Sequence, residues 1–379
     1  MDLEKIRKEI DAVDDKIAAL YSERMSLVKK VADAKRETGA PTENTERERE
    51  ILNRVTQNLP NELKLYAKQV FETLFSTSKA YQSHFCSSVS PIKTKISDAL
   101  GRRDEFPVSA SVACQGLPGA YSQKAAEKLF SIPSITYFRD WNAVFSAVEK
   151  GLCQYGVLPI ENSTAGSVNA VYDLMRKHDF FIARCVKLRI AHFLLSRESL
   201  KPEEITEIVS HEQAINQCSE FLKTLKNVKI TRCENTALAA KIVAERKEKG
   251  VACISGRDCT GIYGLKIIAS EIQNADSNFT RFIAVSKQMK IFDGSDKISV
   301  MVNLPHETGS LNRLLNRFST LGLNLTKLES RPIGSSPFEF AFYFDFDADI
   351  GKIEVLNLIA ELENTCDRFV FLGGYKEIM

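Results

Sequence analysis

The chain has 379 residues, with 51 Lys+Arg against 49 Asp+Glu and a formal charge of +2, which suits two or three domains that each bury a core. That balance gives no footprint for nucleic acid and no polybasic patch for a membrane surface, and no apolar run approaches the ~18 residues a membrane span needs. Met1-Asp2-Leu3-Glu4-Lys5 lacks an apolar signal core, the nine cysteines include no Cys-x-x-Cys pair and the five histidines show no zinc spacing, so we expect a reducing cytoplasm, no structural metal and no cofactor.

Residues 1–86 read as an all-helical unit. Over 3–34 the apolar positions Leu3, Ile6, Ile10, Val13, Ile17, Leu20, Leu27, Val31 and Ala34 step by three and four, the a/d seam of one long helix. Arg24 occupies a seam position that calls for an apolar residue. A guanidinium in a helical core needs an anionic partner, because an unpaired buried charge costs several kcal/mol. Pro41 ends the first helical region, Thr45-x-x-Glu48 has the form of a capping box, and a third helix is predicted over 61–85. Its apolar face runs through Leu63, Ala67, Val70, Leu74, Tyr81 and Phe85, with Ser78 and Gln82 interrupting it. Polar seam residues on two helices imply a wet pocket inside the bundle.

These residues resemble the all-helical chorismate mutase family. The resemblance puts Arg7, Arg24, Lys35, Arg47, Glu48, Ser78 and Gln82 on ligand-binding positions, and Asn44 where the family often has an aspartate. It implies that Arg7 and Arg24 take the two carboxylates of chorismate, Lys35 and Gln82 flank the ether oxygen, and Glu48 meets the ring hydroxyl. The rearrangement is pericyclic, so catalysis is by positioning and electrostatics. Arg7 and Lys35 are 28 positions apart, roughly 42 Å on one helix, and cannot serve one small ligand from one straight helix. A site shared between two copies, and hence a homodimer or higher homo-oligomer, is expected.

Residues 87–107, from Ser87-Ser88-Val89-Ser90-Pro91 to Pro107, lack periodicity and read as a mobile tether with room for a short helix near 96–100.

Residues 108–288 alternate strands (110–114, 135–138, 155–160, 205–209, 228–231, 251–255) with helices (122–130, 141–151, 166–177, 212–226, 236–249), the pattern of an α/β domain with largely parallel strands. Ligands then bind at the carboxyl ends of the strands. Those ends carry Gly116 to Ser122, Glu161-Asn162-Ser163-Thr164, Ser210-His211-Glu212-Gln213 and Glu234-Asn235-Thr236. Helix N-termini there suit a dicarboxylate; Ser122, Thr164, Ser210 and Thr236 are equally readable as ordinary helix caps. At Asn278-Phe279-Thr280-Arg281-Phe282 two rings flank a hydroxyl and a guanidinium, implying a backbone fixed by packing.

Glu161-Asn162-Ser163, Gly166, Val171-Tyr172-Asp173-Leu174, Ser210-His211 and the 278–282 pentad look like prephenate dehydratase. That resemblance implies two α/β lobes around a cleft, like type II periplasmic binding proteins, with the second lobe at about 188–268. It makes Thr280 the leading catalytic residue for loss of carbon dioxide and hydroxide from prephenate. Glu161 or His211 is a candidate relay, and Asn162, Ser163, Ser210, Thr236 and Arg281 are candidate substrate contacts. Arg281 either orients a carboxylate or braces its loop.

Residues 295–379 read as βαββαβ, the ferredoxin-like α+β order. Phe338, Phe340, Phe342, Phe344 and Phe346 alternate strictly, so one strand face is all phenylalanine, best explained as core packing. Gly309-Ser310-Leu311 and Glu329-Ser330-Arg331-Pro332 resemble the two ligand motifs of the phenylalanine-responsive ACT domain, with Ser310 in place of the usual alanine. The resemblance implies that L-phenylalanine binds between paired domains and biases the dehydratase. Three readings thus divide the chain: two enzymes with a sensor; a dehydratase whose helical unit only dimerises, for which Asn44 speaks; and a non-catalytic amino-acid sensor, which would need neither Thr280 nor the Arg24/Lys35 seam. Arogenate remains open beside prephenate as the dehydratase substrate.

Overall fold

In a computed structural model of the chain, residues 2–38, 45–83, 90–102, 105–333 and 340–379 are described. They divide into two compact units, one made of 1–97 with 299–371 and the other of 98–298 with 372–379.

The first unit opens with α1 (Leu3–Thr38), α2 (Thr45–Gln57) and α3 (Asn61–Ser83), and α3 packs on both of the others. The buried stripe of α1 is Val28 and Ala32, flanked by the half-buried Arg24 and Met25. The predicted seam lies on a neighbouring stripe and is open to solvent: Ile10, Val13, Ile17, Leu20 (64% exposed), Leu27 and Val31 are all uncovered, as are Leu63 and Val70 of α3. The heptad is therefore not the contact that joins α1 to α3 within one chain. Asn44 and the Thr45 side chain of the capping box lie outside what is described.

The tether is more ordered than expected. Helix α4 (Pro91–Leu100) occupies its middle. Ser90 Oγ donates to Glu363 and Lys93 Nζ to Asn357 at 2.7 Å, while Ile96 is fully buried. Both partners lie on a later helix of the same unit.

The second unit starts with β1 (Ser109–Gln115), α5 (Tyr121–Leu129), β2 (Ile132–Phe138), α6 (Trp141–Glu149), β3 (Tyr155–Asn162), β4 (Gly166–Ser167), α7 (Asn169–Lys177) and β5 (Phe181–Arg189). The chain then leaves for a second sheet: β6 (Phe193–Ser196), β7 (Glu207–Ser210), α8 (Glu212–Gln217), α9 (Ser219–Lys223), β8 (Lys229–Arg232), α10 (Thr236–Glu245), β9 (Val251–Ser255), α11 (Cys259–Tyr263) and β10 (Lys266–Ala269). It returns at β11 (Phe279–Ser286). The second sheet, in the order β10-β6-β9-β7-β8, spans the region expected for a second lobe. Neither sheet is mainly parallel. In the first, β1 is parallel to β2 and β3, but β11 runs antiparallel to both β3 and β5. In the second, β7 is parallel to β8 and β9, and β6 antiparallel to β9 and β10. The returning strands reverse direction, which a reading of successive βα units cannot register.

The two crossings, 190–192 and 270–278, are bonded to each other. Ile190 N donates to Asn278 O at 2.8 Å, Ile272 N to His192 O at 2.9 Å, and His192 N to Gln273 Oε1 at 2.9 Å. The predicted 212–226 helix breaks at Cys218 for a related reason. Asn274 N donates to Gln217 O at 2.7 Å, and its side chain bonds Glu220 N and Ser219 Oγ, taking backbone groups that a continuous helix would use.

In the first unit, β12 (Lys297–Asn303), α12 (Ser310–Thr320), β13 (Asn324–Pro332), β14 (Phe340–Asp347), α13 (Ile353–Thr365) and β15 (Arg368–Ile378) give βαββαβ with sheet order β13-β14-β12-β15. Phe344 and Phe346 are buried and pack on Phe318 of α12 at 5.5 and 5.0 Å between centroids. Phe340 stays exposed at the open end of the ladder, and Phe338 lies outside the described residues. The last residues of β15, 372–379, belong to the second unit, where Lys376, Glu377 and Ile378 pair parallel with β5.

Candidate active sites

Two clusters of polar side chains stand out. In the helical segment Arg24 Nη1 donates to Ser78 Oγ and to Leu74 O at 3.3 Å, crossing from α1 to α3. Neither of these partners is a carboxylate; burial lowers the pKa of the guanidinium, opposed by Tyr21. One turn along α3, Gln82 is only 8% exposed, and its amide oxygen meets no donor among the described residues. Between them Lys79 Nζ bonds Glu48 at 3.0 Å, both half-buried. Arg24, Ser78, Lys79, Glu48 and Gln82 thus gather along the end of α3. Lys79 was not anticipated: one step from Ser78, it reads in sequence as a solvent-facing lysine. Lys35 is half-buried on α1. Arg47 turns outward to Glu50 at 2.7 Å, and Arg7 is exposed, 17 residues or about 25 Å along α1 from Arg24.

In the second unit an open cleft of ≈ 540 Å³ is lined by Thr164, His211, Gln213, Asn216, Gln273 and Asn278, among others. The polarity of its wall follows from two backbone groups. Thr164 N and Ala165 N donate to Asn162 Oδ1 at 3.0 and 2.9 Å, and an N–H can only donate. The other end of that amide, Nδ2, therefore faces Asn278 Oδ1 (2.9 Å) and Thr280 Oγ1 (2.8 Å) as a donor. Asn278 must then turn its own Nδ2 to Gln217 Oε1 at 3.0 Å. Gln217 Nε2 donates to Thr164 Oγ1 at 3.0 Å, and Thr164 completes the ring by donating to Asn162 Oδ1 at 2.7 Å. Since Thr280 Oγ1 accepts from Asn162, its own proton is left without an acceptor among the described residues. Thr280 is buried and does not itself line the cleft; Asn162 joins it to Asn278 and Thr164, which do.

The neighbouring pair faces the other way. Asn162 pairs with Thr280 and Glu161 with Arg281 in the β3/β11 ladder, and successive strand residues point to opposite faces. Arg281 bonds Glu161 at 2.9 Å and Glu377 at 2.7 Å, and Lys187 bonds Glu377 at 2.9 Å. This ion cluster ties β3, β11, β5 and β15 together. Arg281 is thus a brace, and neither it nor Glu161 joins Thr280, contrary to the expectation of a Glu161 relay. Phe282 is buried, but Phe279 is 42% exposed, so only one of the two flanking rings fixes the strand by packing.

His211 caps α8, its Nδ1 accepting from Gln213 N at 3.2 Å. Burial lowers its pKa, which Glu212 partly offsets, and the neutral ring therefore carries its proton on Nε2. Ser210 is fully buried with its hydroxyl donated to Ile254 O at 2.7 Å, so it supports β7 and β9 rather than a ligand. Ser163 ties its loop to the chain before β11, donating to Ser277 O and accepting from Phe279 N, both at 2.9 Å. Thr236 opens α10 half-buried, but Asn235 is the cap, accepting from Leu238 N at 2.8 Å. None of Ser122, Thr164, Ser210 and Thr236 caps a helix through its side chain.

Of the effector candidates, Gly309 has φ +85° and caps α12, a left-handed conformation that favours glycine. Ser310 and Leu311 follow; Ser310 is buried and accepts from Arg313 at 3.0 Å. Glu329, Ser330 and Arg331 lie on β13, which α12 contacts, and Glu329 bonds Lys327 at 3.2 Å.

The chain matches two family models, chorismate mutase type II over 6–83 and prephenate dehydratase over 112–290. A bifunctional chorismate mutase/prephenate dehydratase of Aquifex aeolicus (strain VF5) is 30% identical over 100% of this chain and 99% of its own length. An Arabidopsis thaliana protein, arogenate dehydratase/prephenate dehydratase 2, chloroplastic, is 34% identical over 70% of this chain and 72% of its length. A solved prephenate dehydratase from Arthrobacter aurescens, in complex with L-Phe, is similar at TM-score 0.64 and 26% identity, covering 70% of this chain and 89% of that one.

Proposed function

The chain belongs to the family of bifunctional chorismate mutase/prephenate dehydratases, and from that premise we infer that the helical pocket and the second unit's cleft carry its two reactions. It rearranges chorismate to prephenate and converts prephenate to phenylpyruvate in L-phenylalanine biosynthesis. The eight described cysteines are free thiols, in keeping with a reducing cytoplasm.

For the mutase, Arg24 takes one carboxylate of chorismate. Lys35 and Gln82 meet the ether oxygen, where negative charge grows in the transition state, and Glu48, held by Lys79, meets the ring hydroxyl. Fixed charges that need no reorganisation are the source of such catalysis. The second carboxylate falls to Arg7 of a second copy, whose α1 covers the exposed seam. An open apolar stripe this long needs a partner, and one chain keeps Arg7 too far from Arg24 to share a ligand with it. Mixing inactive Arg7→Ala and Lys35→Ala chains is expected to restore part of the mutase rate in the heterodimers. No recovery in confirmed heterodimers contradicts a shared site.

For the dehydratase, one observation carries the assignment: the amide ring fixes Thr280 as an acceptor from Asn162 and leaves its proton to donate. The ring C–CO2 bond breaks and its electron pair enters the new aromatic system. The C–O bond to the ring hydroxyl breaks with it, and the departing oxygen takes the Thr280 proton and leaves as water, solvent returning the proton to Thr280. Threonine is a weak acid, and on our assignment the Nε2 proton of His211, which lines the adjoining cleft, is the second donor. Thr280→Ser keeps the hydroxyl and is expected to retain much of the dehydratase rate, whereas Thr280→Val keeps the shape and loses about 100-fold or more. Equal rates in the two variants contradict the assignment.

L-phenylalanine, seen with the Arthrobacter relative, binds on this reading between paired ACT domains at the Gly309-Ser310-Leu311 turn and the 329–331 strand. Its carboxylate faces the N-terminal end of α12, where the helix dipole favours an anion. Regulation requires different affinities for two states of the enzyme.

A further inference from the structure

The bond from Asn162 Nδ2 to Thr280 Oγ1 joins β3 to β11 at a place where the two strands slip. Thr280 pairs with Asn162 and Arg281 with Glu161, but Phe282 pairs with Pro159, so Ile160 has no partner on β11. Such a bulge disrupts the ladder and bends the chain locally. The main-chain bonds beyond it therefore do not by themselves fix how the two strand ends meet. A second side-chain bond acts from behind. On the opposite face of the same step, Arg281 Nη1 donates to Glu161 at 2.9 Å. Front and back bonds thus clamp one step of the ladder between them, and Arg281 is held in turn by Glu377, whose Oε2 accepts from its Nε at 2.7 Å.

The surroundings of Glu377 call for an acceptor at both of its oxygens. It lies on β15 opposite Cys185 of β5, with its side chain 14% exposed. Oε1 accepts from Lys187 Nζ at 2.9 Å, and Oε2 also accepts from Cys185 Sγ at 3.4 Å. Burial pushes the pKa of that thiol up to about 12, so it keeps its proton to donate. Burial also raises the pKa of Glu377, but Arg281 and Lys187 outweigh it and leave the carboxyl below its usual range. An amide in its place would turn an NH2 against a donor, either Lys187 Nζ or Arg281 Nε.

On the reading that Thr280 gives up its proton to the departing oxygen, we propose that Glu377 is a positioning residue of the dehydratase. It fixes Arg281 on the far face of β11, and through Arg281 and Glu161 it holds the step at which Asn162 meets Thr280. It touches neither Thr280 nor the cleft lining. The segment that carries the effector candidates thus also supplies, through its last strand, a part of the dehydratase.

The test is a double-mutant cycle in the full-length enzyme with prephenate: Glu377→Gln, Thr280→Val and both together, with thermal melts showing that each is folded at the assay temperature. Glu377→Gln is expected to lower kcat about tenfold, as misplacement of a catalytic group does, with KM within about threefold. In the Thr280→Val background the same change should cost less than about twofold, because the hydroxyl that it aligns is gone. Glu377→Asp keeps the charge and draws it back by one methylene, and it gives the same cycle at smaller amplitude where Glu377→Gln fails to fold. An unchanged kcat in the Glu377 variants overturns the proposal. So does a loss of equal size with and without the Thr280 hydroxyl, which is the mark of a merely structural residue. Retention of the rate in Thr280→Val contradicts the assignment of Thr280 itself; a rate lost in Thr280→Val but kept in the Glu377 variants contradicts only the positioning role.

Discussion

Thr280 and Arg281 are adjacent in sequence and serve opposite faces of one strand. The sequence marks both as unusual, and the resemblance to prephenate dehydratase marks both as functional, but period-two alternation already says that they cannot point at the same thing. Glu161 and Asn162 divide the same way. What sequence could not supply was the far end of each network. Glu377 lies 96 positions from Arg281 and Gln217 lies 61 from Asn278, and neither sits in a motif. Gln82 was legible because a polar residue interrupts an apolar stripe; Lys79 was not, because it interrupts nothing. The histidines carry a prediction at this scale. Burial lowers the pKa of His192, with the Gln217 bond opposing, and that of His211 likewise, both from 6.5. The unfolded chain therefore takes up protons near pH 6.5 that the folded chain resists, and stability falls as pH drops below that value. Urea unfolding followed between pH 7.5 and 5, within the range where the fold persists, should show the second unit losing stability, with a shallower loss in His192→Gln. Identical slopes contradict the assignment.

At the scale of elements, the helical segment shows how a correct pattern still leaves open what covers it. The 3–34 heptad is real, and α1 forms along its whole length. Yet α3 of the same chain packs on Val28 and Ala32, one stripe away. A hydrophobic period marks a face suited to burial but does not say what covers it. Strands fared similarly. The runs at 155–160 and 251–255 stood out as apolar blocks, while β5 and β6 were missed because charged residues in β5 and the short span of β6 mask their periodicity. The end of the chain was read wholly as part of the sensor, but its last residues pair with β5. Gly373 makes that pairing possible: at φ +149°, a Cβ there would collide with Ile182 O and crowd Ile182 N. Gly373→Ala is therefore expected to destabilise the second unit by roughly 1–3 kcal/mol, lowering its melting temperature by several degrees. Calorimetry that finds no shift contradicts a tight β15–β5 contact.

For the whole molecule, the sequence marked three functional territories because each carries its own chemistry: cations and amides in helices, hydroxyls and amides at strand ends, and a glycine turn beside a Glu-Ser-Arg-Pro strand. Their order along the chain proved easier to read than their physical partition, since the helices and the βαββαβ segment form one compact unit while the dehydratase segment recruits the chain's end. A single chain thus holds two reaction centres built from different residues, and the product of one is the substrate of the other. The most direct test is product analysis after chorismate is supplied to Arg24→Ala and Thr280→Val enzymes. Two separate centres predict that Thr280→Val accumulates prephenate without phenylpyruvate, and that Arg24→Ala leaves chorismate unchanged yet dehydrates added prephenate at the unmodified rate. Phenylpyruvate formed from chorismate by Thr280→Val at the unmodified rate, or failure of Arg24→Ala to use prephenate, contradicts that account.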